Sequence, residues 1–368
     1  VIMGDRWFMG SSSYASRILW DTDGFQFLAV SLTSGSVLAE FPDLQASKFS
    51  YRFEDMTSET VMIPWHDIPS NWVEATVPYA VAVLLVREST VLWGGIVVKR
   101  ERTLQGEGLT LTLATVEHYL DSVYVKDHSY SGWEQTWIAS DLVTSTLEGH
   151  RFMISVDTAS SSVHRDRTYE ESSGKTLLSV LQELSNVQDG PEWCTSWRVD
   201  GGRYTPVLTI ADRIGSVTPV TTFDESVMTS FKVLEDYTSG YGANMVVAVG
   251  SSSGEDQLRS DVMVADQSYR PVVEHVVRPS SSITRKETLD AYASSSLRQL
   301  QDGTNTVDMT LSLMAAPAVY REWKPGDVVA WTIADDDGRF TGFAQGQARV
   351  IGYNIDFSGA WTITPVLQ

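Results

Sequence analysis

The chain of 368 residues has a single cysteine, Cys194. One thiol cannot close an intrachain disulfide or furnish a cysteine-based zinc site, so stability has to come from a core or from partners. Basic residues are scarce as well: 27 Lys and Arg face 47 Asp and Glu, a net charge of −20. The acids are dispersed, and the longest run is Asp335-Asp336-Asp337. A body that is negative throughout repels phosphate, which argues against sequence-specific DNA binding and against anchoring to an anionic membrane. No apolar run reaches the length of a membrane-spanning helix, and Val1–Gly10 lacks the basic stretch and apolar core of a secretion signal. The first residue is Val1 and not Met, which fits either residues preceding it or a GTG start.

What is present is a folding chain. Twelve Trp and fourteen Tyr supply the large apolar surfaces that repay ordering entropy. The length allows two or three domains. The first third reads as β: Arg17–Trp20 and Phe25–Ser31 flank Asp21-Thr22-Asp23-Gly24, whose Asp-Gly step suits a hairpin turn. Lys48–Phe53, Thr60–Pro64, Tyr79–Val86 and Val91–Val98 are rich in β-branched and aromatic residues. Leu109–Thr115 alternates Leu and Thr, which predicts a strand with one buried face.

The period then changes. In Glu134–Leu147 the residues Trp137, Ile138, Leu142, Val143 and Leu147 share a helical face, and in Lys175–Val187 so do Leu177, Leu178, Leu181, Leu184 and Val187. Ser172 or Ser173 is the expected cap of the second helix. Trp193–Val199 and Arg203–Ile210 form a hairpin around Asp200-Gly201-Gly202. The last third has strands at Asn244–Val249 and Asp261–Ala265, and a helix over Arg285–Leu300 with Leu289, Tyr292, Ala293, Leu297 and Leu300 on one face. Further strands follow at Thr306–Leu313, Val328–Ile333, Ala348–Ile355 and Trp361–Val366. Ser160–Ser162, Ser251–Gly254 and Ser280–Ser282 are too short for flexible tethers. The expected fold is mainly β with an α+β insert. It comprises an N-terminal barrel-like domain over residues 1–125, an inserted helix-hairpin domain over 126–218, and a C-terminal domain with one helix and a barrel-like part over 219–368. Two β-turn-β stretches, Leu92–Val97 with Leu109–Thr115 and Ala348–Tyr353 with Trp361–Val366, are faintly alike.

The motifs that would carry chemistry are thin. Gly250-Ser251-Ser252-Ser253-Gly254 matches the pattern of a nucleophile elbow. Only His275 follows it, with no helix-forming stretch behind the serine, so a Ser/Gly loop is expected and neither Ser252 nor His275 is assigned a catalytic role. The histidines His66, His118, His128, His150, His164 and His275 show no metal-ligand spacing. Asp335-Asp336-Asp337-Gly338 lacks the alternating oxygen ligands of a calcium loop and reads as a turn. Trp65, Trp72 and Trp133 would stack sugars if exposed, but aromatics at segment ends more often anchor cores or interfaces. No phosphate loop or nucleotide fingerprint follows a strand. The reading therefore assigns no catalytic residue, no cofactor and no metal. A cell-wall hydrolase or a carbohydrate-binding β protein stands as the alternative to a structural role.

Five stretches resemble a known family when taken in order: Leu38–Pro42, Tyr79–Leu85, Leu92-Trp93-Gly94-Gly95-Ile96-Val97, the helix-hairpin from Thr176 to Ile210, and Trp323-Lys324-Pro325-Gly326-Asp327-Val328. Together they are similar to the hub module of siphophage tail tips, related to the baseplate hub of contractile phages and common among minor tail proteins of actinobacterial phages. The resemblance implies a structural virion protein of the tail tip, made in the host cytoplasm and not an enzyme. It implies a homotrimer whose paired β domains form a pseudo-sixfold ring between hexameric tail and threefold tip. The implied partners are the distal tail protein, other tail-tip proteins and the tape-measure C-terminus, with genomic DNA passing through the lumen unbound and no membrane anchor. Relatives often carry a lytic or receptor-binding extension; the present chain stops at Gln368, just after a strand, which speaks against lytic activity.

Overall fold

A computed structural model describes residues 24–187, 189–238, 240–250, 257–279 and 285–368. The expected strand Arg17–Trp20, most of its turn, the Ser251–Gly254 loop and the Ser280–Ser282 linker lie outside these residues. The chain forms two compact units. One takes the described residues up to Thr229 with Thr310–Ala334 and Ala344–Gln368; the other takes Ser230–Met309 and Asp335–Phe343. Residues 219–368 therefore contribute to both.

The first unit opens with seven strands: β1 (Phe25–Ser31), β2 (Val37–Glu40), β3 (Lys48–Arg52), β4 (Ser58–Pro64), β5 (Val81–Arg87), β6 (Thr90–Glu101) and β7 (Gly108–Ala114). Two one-turn helices, α1 (Trp72–Ala75) and α2 (Glu117–Leu120), accompany them. Six strands make one sheet in the order β2-β1-β5-β6-β7-β4. Strand β5 is apolar on both faces because it lies centrally, and all but its last residue is buried. In β7 the alternation behaves as its sequence predicts: Leu109, Leu111 and Leu113 are buried, while Thr110 and Thr112 are partly exposed. The loop after β2 returns to β4. Gln45 and Met62 exchange backbone hydrogen bonds of 2.7 and 2.9 Å there, tying that loop to the edge strand β4.

Strand β3 leaves this sheet although its chain neighbours belong to it. It pairs instead with β20 (Gln345–Asp356) of a second sheet, which it joins with Tyr51 opposite Tyr353 and Phe49 opposite Ile355. The remaining strands of that sheet are β13 (Pro219–Asp224), β14 (Met228–Asp236), β18 (Thr304–Ser312), β19 (Val328–Thr332) and β21 (Thr362–Leu367), ordered β13-β19-β20-β21-β18-β14. Strands β14 and β18 lead out of the first unit and back. The aromatic core explains why β3 crosses over. Phe49 packs on Phe27, Trp93 and Phe357, with ring centroids 5.7, 4.7 and 6.0 Å away, so a single strand delivers one ring to residues of both sheets. Strands β6 and β20 share a feature: each has twelve residues, each is interrupted by a register shift, and each pairs antiparallel with the next strand. Such bulges bend a long strand and curve its sheet.

Between the two sheets in sequence lie β8 (His128–Glu134), α3 (Gln135–Leu147), β9 (Ser155–Thr158), β10 (His164–Tyr169), α4 (Leu177–Ser185), β11 (Glu192–Asp200) and β12 (Arg203–Ala211). They have a core of their own, with Ile138, Leu142, Leu177, Leu181, Trp193 and Leu208 buried together. Both helices and the hairpin fall where periodicity predicts them, but Trp137, expected on the apolar face of the first helix, is 52% exposed. The expected cap is corrected, however. Ser173 closes a short turn, its amide donating to Glu170 at 2.9 Å, and Gly174 then turns the chain with a φ of 61°. Helix α4 begins one turn later and is capped by Thr176, which accepts from the amide of Ser179 at 3.2 Å. This layer docks on β6 at Gly94, where a Cβ would collide with the indole of Trp197 and with Leu84. Gly94 thus leaves room for Trp197, and Gly95 for the ring of Trp93.

The second unit is small. Helix α5 (Lys286–Leu300) covers a sheet ordered β16-β15-β17, made of β15 (Met245–Ala248), β16 (Met263–Val264) and β17 (Glu274–Val277). Leu289 and Ala293 are fully buried against Val246 and Ala248, as the helical face predicts, whereas Tyr292 stays exposed.

The packing has a measurable consequence. Leu111→Ala removes a side chain with no exposure from the first sheet and is expected to cost about 2–5 kcal/mol in urea unfolding. Leu104→Ala, in the exposed β6–β7 loop, should stay within about 0.5 kcal/mol of the parent chain.

Candidate functional site

A set of buried, organised polar groups lies in the first unit, along a seam where β3, β11 and β20 meet. Arg349 on β20 is the centre. Its guanidinium donates to both carboxylate oxygens of Glu192 on β11, at 2.7 and 2.5 Å. It donates further to the carbonyls of Gly326 and Ile214, at 3.1 and 3.0 Å, and lies 5.2 Å over the ring of Phe53. Glu192 also accepts from the amide of Ile214 at 2.6 Å. Only 15% and 20% of the two side chains are exposed, so the pair is shielded, bidentate and fully hydrogen-bonded, the conditions under which an ion pair offsets its desolvation.

The Trp323–Val328 stretch owes its sequence to this seam. Gly326 has a φ of 99° and its backbone touches Ile214 and Gly215 so closely that no Cβ fits on Gly215. Asp327 is buried and joins two segments, accepting from the amide of Ser216 at 2.8 Å and from that of Lys324 at 3.0 Å. On the other side of the seam Tyr51 donates its hydroxyl proton to the carbonyl of Thr195 at 2.9 Å and accepts from the Thr195 amide at 3.2 Å. Its ring stacks on Tyr353, whose hydroxyl donates to Leu92. Burial pushes both phenols above their ordinary range, so they remain neutral donors.

Two carboxylates complete the arrangement. Glu117, without exposure, accepts from the hydroxyl of Thr195 at 2.5 Å, while its Oε2 has no hydrogen bond. Burial raises its carboxyl above the usual range. Glu54 accepts from the amide of Trp193 at 3.1 Å, and burial pushes it up to about 7 against the opposing pull of that amide. Cys194 lies nearby, half-buried, and burial pushes its thiol up to about 12, away from nucleophile or redox chemistry. A cleft of about 410 Å³ opens beside the seam, lined by Tyr51, Cys194, Thr195, Trp197, Tyr320 and Lys324.

The residues singled out in the sequence fall elsewhere and are not brought together. Ser252 lies outside the described residues. His275 is half-buried on β17 of the second unit. Asp335 and Asp337 stabilise their own turn, Asp335 accepting from the amide of Phe340 at 2.8 Å and Asp337 pairing with Arg339 at 2.6 Å. Trp65 and Trp72 pack edge to face at 5.8 Å, and Trp133, 48% exposed, packs its edge against Tyr130. His128 Nε2 lies 2.9 Å from Ser145 Oγ, but its other nitrogen faces the carbonyl of Lys126 and the serine also donates to the carbonyl of Asp141 in its own helix. That pair has no carboxylate behind the imidazole, as a nucleophilic triad requires. Sequence reading missed Arg349, Glu192, Glu54 and Glu117. The one signal was an arginine set in the apolar alternation of Ala348–Ile355.

No family model matches the chain, and no curated protein sequence matches it. Solved structures do share its fold. A tail protein from Neisseria meningitidis MC58 superposes with a TM-score of 0.54 at 13% identity, over 94% of this chain and 96% of that one. The 43 kDa tail protein of prophage MuSo2 from Shewanella oneidensis superposes with a TM-score of 0.56 at 9% identity, over 94% and 98%. At such identities the likeness is one of fold, and it runs through both units.

Two outcomes are expected of the seam. Arg349→Ala should cost about 2–4 kcal/mol in urea unfolding, because it strands Glu192 in a shielded place; Glu192→Gln, which keeps the acceptor for Ile214, should cost less. For Glu54 the folded value lies above the unfolded one, so its contribution is complete below the ordinary carboxylate range and is lost as pH rises through about 7. Glu54→Gln should therefore melt higher than the parent at pH 8 and nearly with it at pH 5, read by calorimetry.

Proposed function

We propose that this chain is a structural subunit of a phage tail tip, a baseplate hub that works by assembling and not by catalysis. The observation that carries the reading is the fold itself. It superposes on two tail proteins over nearly their whole lengths. The polar seam agrees with a structural role. Arg349, Glu192 and Asp327 are spent on one another and on backbone groups, in a place where they join segments.

In this reading three copies form a closed ring, with domains near residues 1–125 and 219–368 on its circumference and the layer over 126–218 to the side. The ring adapts a hexameric tail to a threefold tip and meets the distal tail protein, other tail-tip proteins and the C-terminus of the tape-measure protein. The alike bulged hairpins of β6–β7 and β20–β21 support two quasi-equivalent contributions per copy to the ring. Genomic DNA passes through without being held. The net charge of −20 fits that task, since a basic wall would retain phosphates by counterion release while an acidic or neutral one lets them slide. The protein is then a virion component of the distal tail, made in the host cytoplasm.

The mass of the purified chain in solution tests the assembly. Light scattering is expected to return three times the 40.7 kDa of one chain, with a buried interface above about 2,000 Å². A chain that stays monomeric at tens of micromolar contradicts the trimer.

A further inference from the structure

We propose that Asp43, His66 and Asp67 form a binding site for a divalent transition-metal ion of the zinc class, set where the loop after β2 meets the turn after β4. One donor atom from each of the three side chains lies within 4.8 Å of the other two. The site joins stretches 23 positions apart, which is why no spacing in the sequence announces it.

The backbone holds these donors in place before any ion arrives. Asp43 precedes Leu44, which is fully buried and closes a turn on Phe41 at 3.2 Å. The two bonds between Gln45 and Met62 then fix that loop against β4. On the other side the amide of Asp67 closes a turn on Pro64 at 3.2 Å. Trp65 anchors the same turn, its amide donating to Glu107 at 3.1 Å and its indole to Gly106 at 3.0 Å. Donors on backbone fixed in this way lose little freedom on coordination.

A second observation concerns how the donors meet. His66 Nε2 approaches Asp67 Oδ2 to 2.6 Å, yet that oxygen is shielded from water and has no hydrogen bond of acceptable direction. Two donors held this close and misaligned are better satisfied by a shared cation than by each other. The donor set decides the class of ion. Calcium and magnesium favour oxygen ligands alone, whereas one imidazole with two carboxylates suits zinc and its first-row neighbours. Bonds of about 2.0–2.2 Å to a tetrahedral ion put ligand atoms roughly 3.4 Å apart, a spacing within reach of small side-chain rotations here. Water would fill the remaining position. The His66 side chain is 64% exposed and leaves a path of approach.

An ion at this point would act as a staple. Strands β2 and β4 are the two edges of the six-stranded sheet, and the site lies on the connection that returns from one to the other. Zinc should therefore stabilise the attachment of that loop to the edge strand β4. This inference does not depend on the tail-tip reading.

The test uses the whole chain, stripped with chelator and dialysed, then titrated with zinc chloride in a calorimeter. One saturable equivalent and a melting temperature that rises with zinc are expected. His66→Ala and Asp67→Asn should weaken binding by about tenfold or more, while His164→Ala, an exposed histidine elsewhere on the first unit, should leave it unchanged. Absence of saturable binding overturns the proposal, and so does binding that survives His66→Ala. If the variants fail to fold, the unmutated chain still decides: zinc should protect His66 from diethyl pyrocarbonate in a peptide-resolved mass spectrum, and unaltered modification of His66 overturns the site.

Discussion

Arg349 is where three stretches of chain far apart in sequence have to agree. Its guanidinium fork fits the carboxylate of Glu192, its remaining donors reach Gly326 and Ile214, and its flat face covers Phe53. A lysine would supply one charge but neither the fork nor the face. In a chain with so few cations, placing one at a site that is only 15% exposed is a costly use of it. The arrangement holds because each nitrogen of the Arg349 guanidinium finds an acceptor.

The rest of the first unit follows from that junction. Strand β3 can desert its own sheet for β20 because Tyr51, Phe49 and Trp93 give it buried partners on both sides. The Trp93 indole donates to the carbonyl of Ser50 on β3 at 2.8 Å. The intervening layer is held at two points, by Glu192 at the seam and by Trp197 on Gly94. Two sheets and an inserted layer therefore share one set of contacts, although the first sheet and the layer each have an apolar core cluster of their own.

Much of this was legible in the sequence, and the parts that were not have a common cause. The Leu-Thr alternation of β7, the apolar face of α4 and the glycine turn between β11 and β12 are local signals, and each formed where it was expected. The Pro-Gly-Asp step at 325–327 was visible as a motif, but its reason was not. Only the fold brings Gly326 against Ile214 and Asp327 to the amide of Ser216. Strand β3 looked like any other half-buried strand, and nothing in Lys48–Phe53 says that its partner lies three hundred residues on. The charged pairs were equally hidden, since Glu192 and Glu54 are two among 47 acids until geometry selects them. Helix α4 shows a smaller failure of the same kind: Ser172, Ser173 and Thr176 are all capping types, and the turn at Gly174 decides among them.

The functional account rests on a fold whose two sheets each contain a long bulged strand with an antiparallel neighbour, and on a seam that makes them one body. The most direct measurement is a reconstruction by electron cryomicroscopy of the tail tip of phage particles that encode this chain. The account expects three copies closed around the tail axis, with acidic or neutral side chains facing the channel. Absence of the chain from the tip would contradict it, and a channel lined by inward-facing Lys and Arg would contradict the account of free passage for DNA.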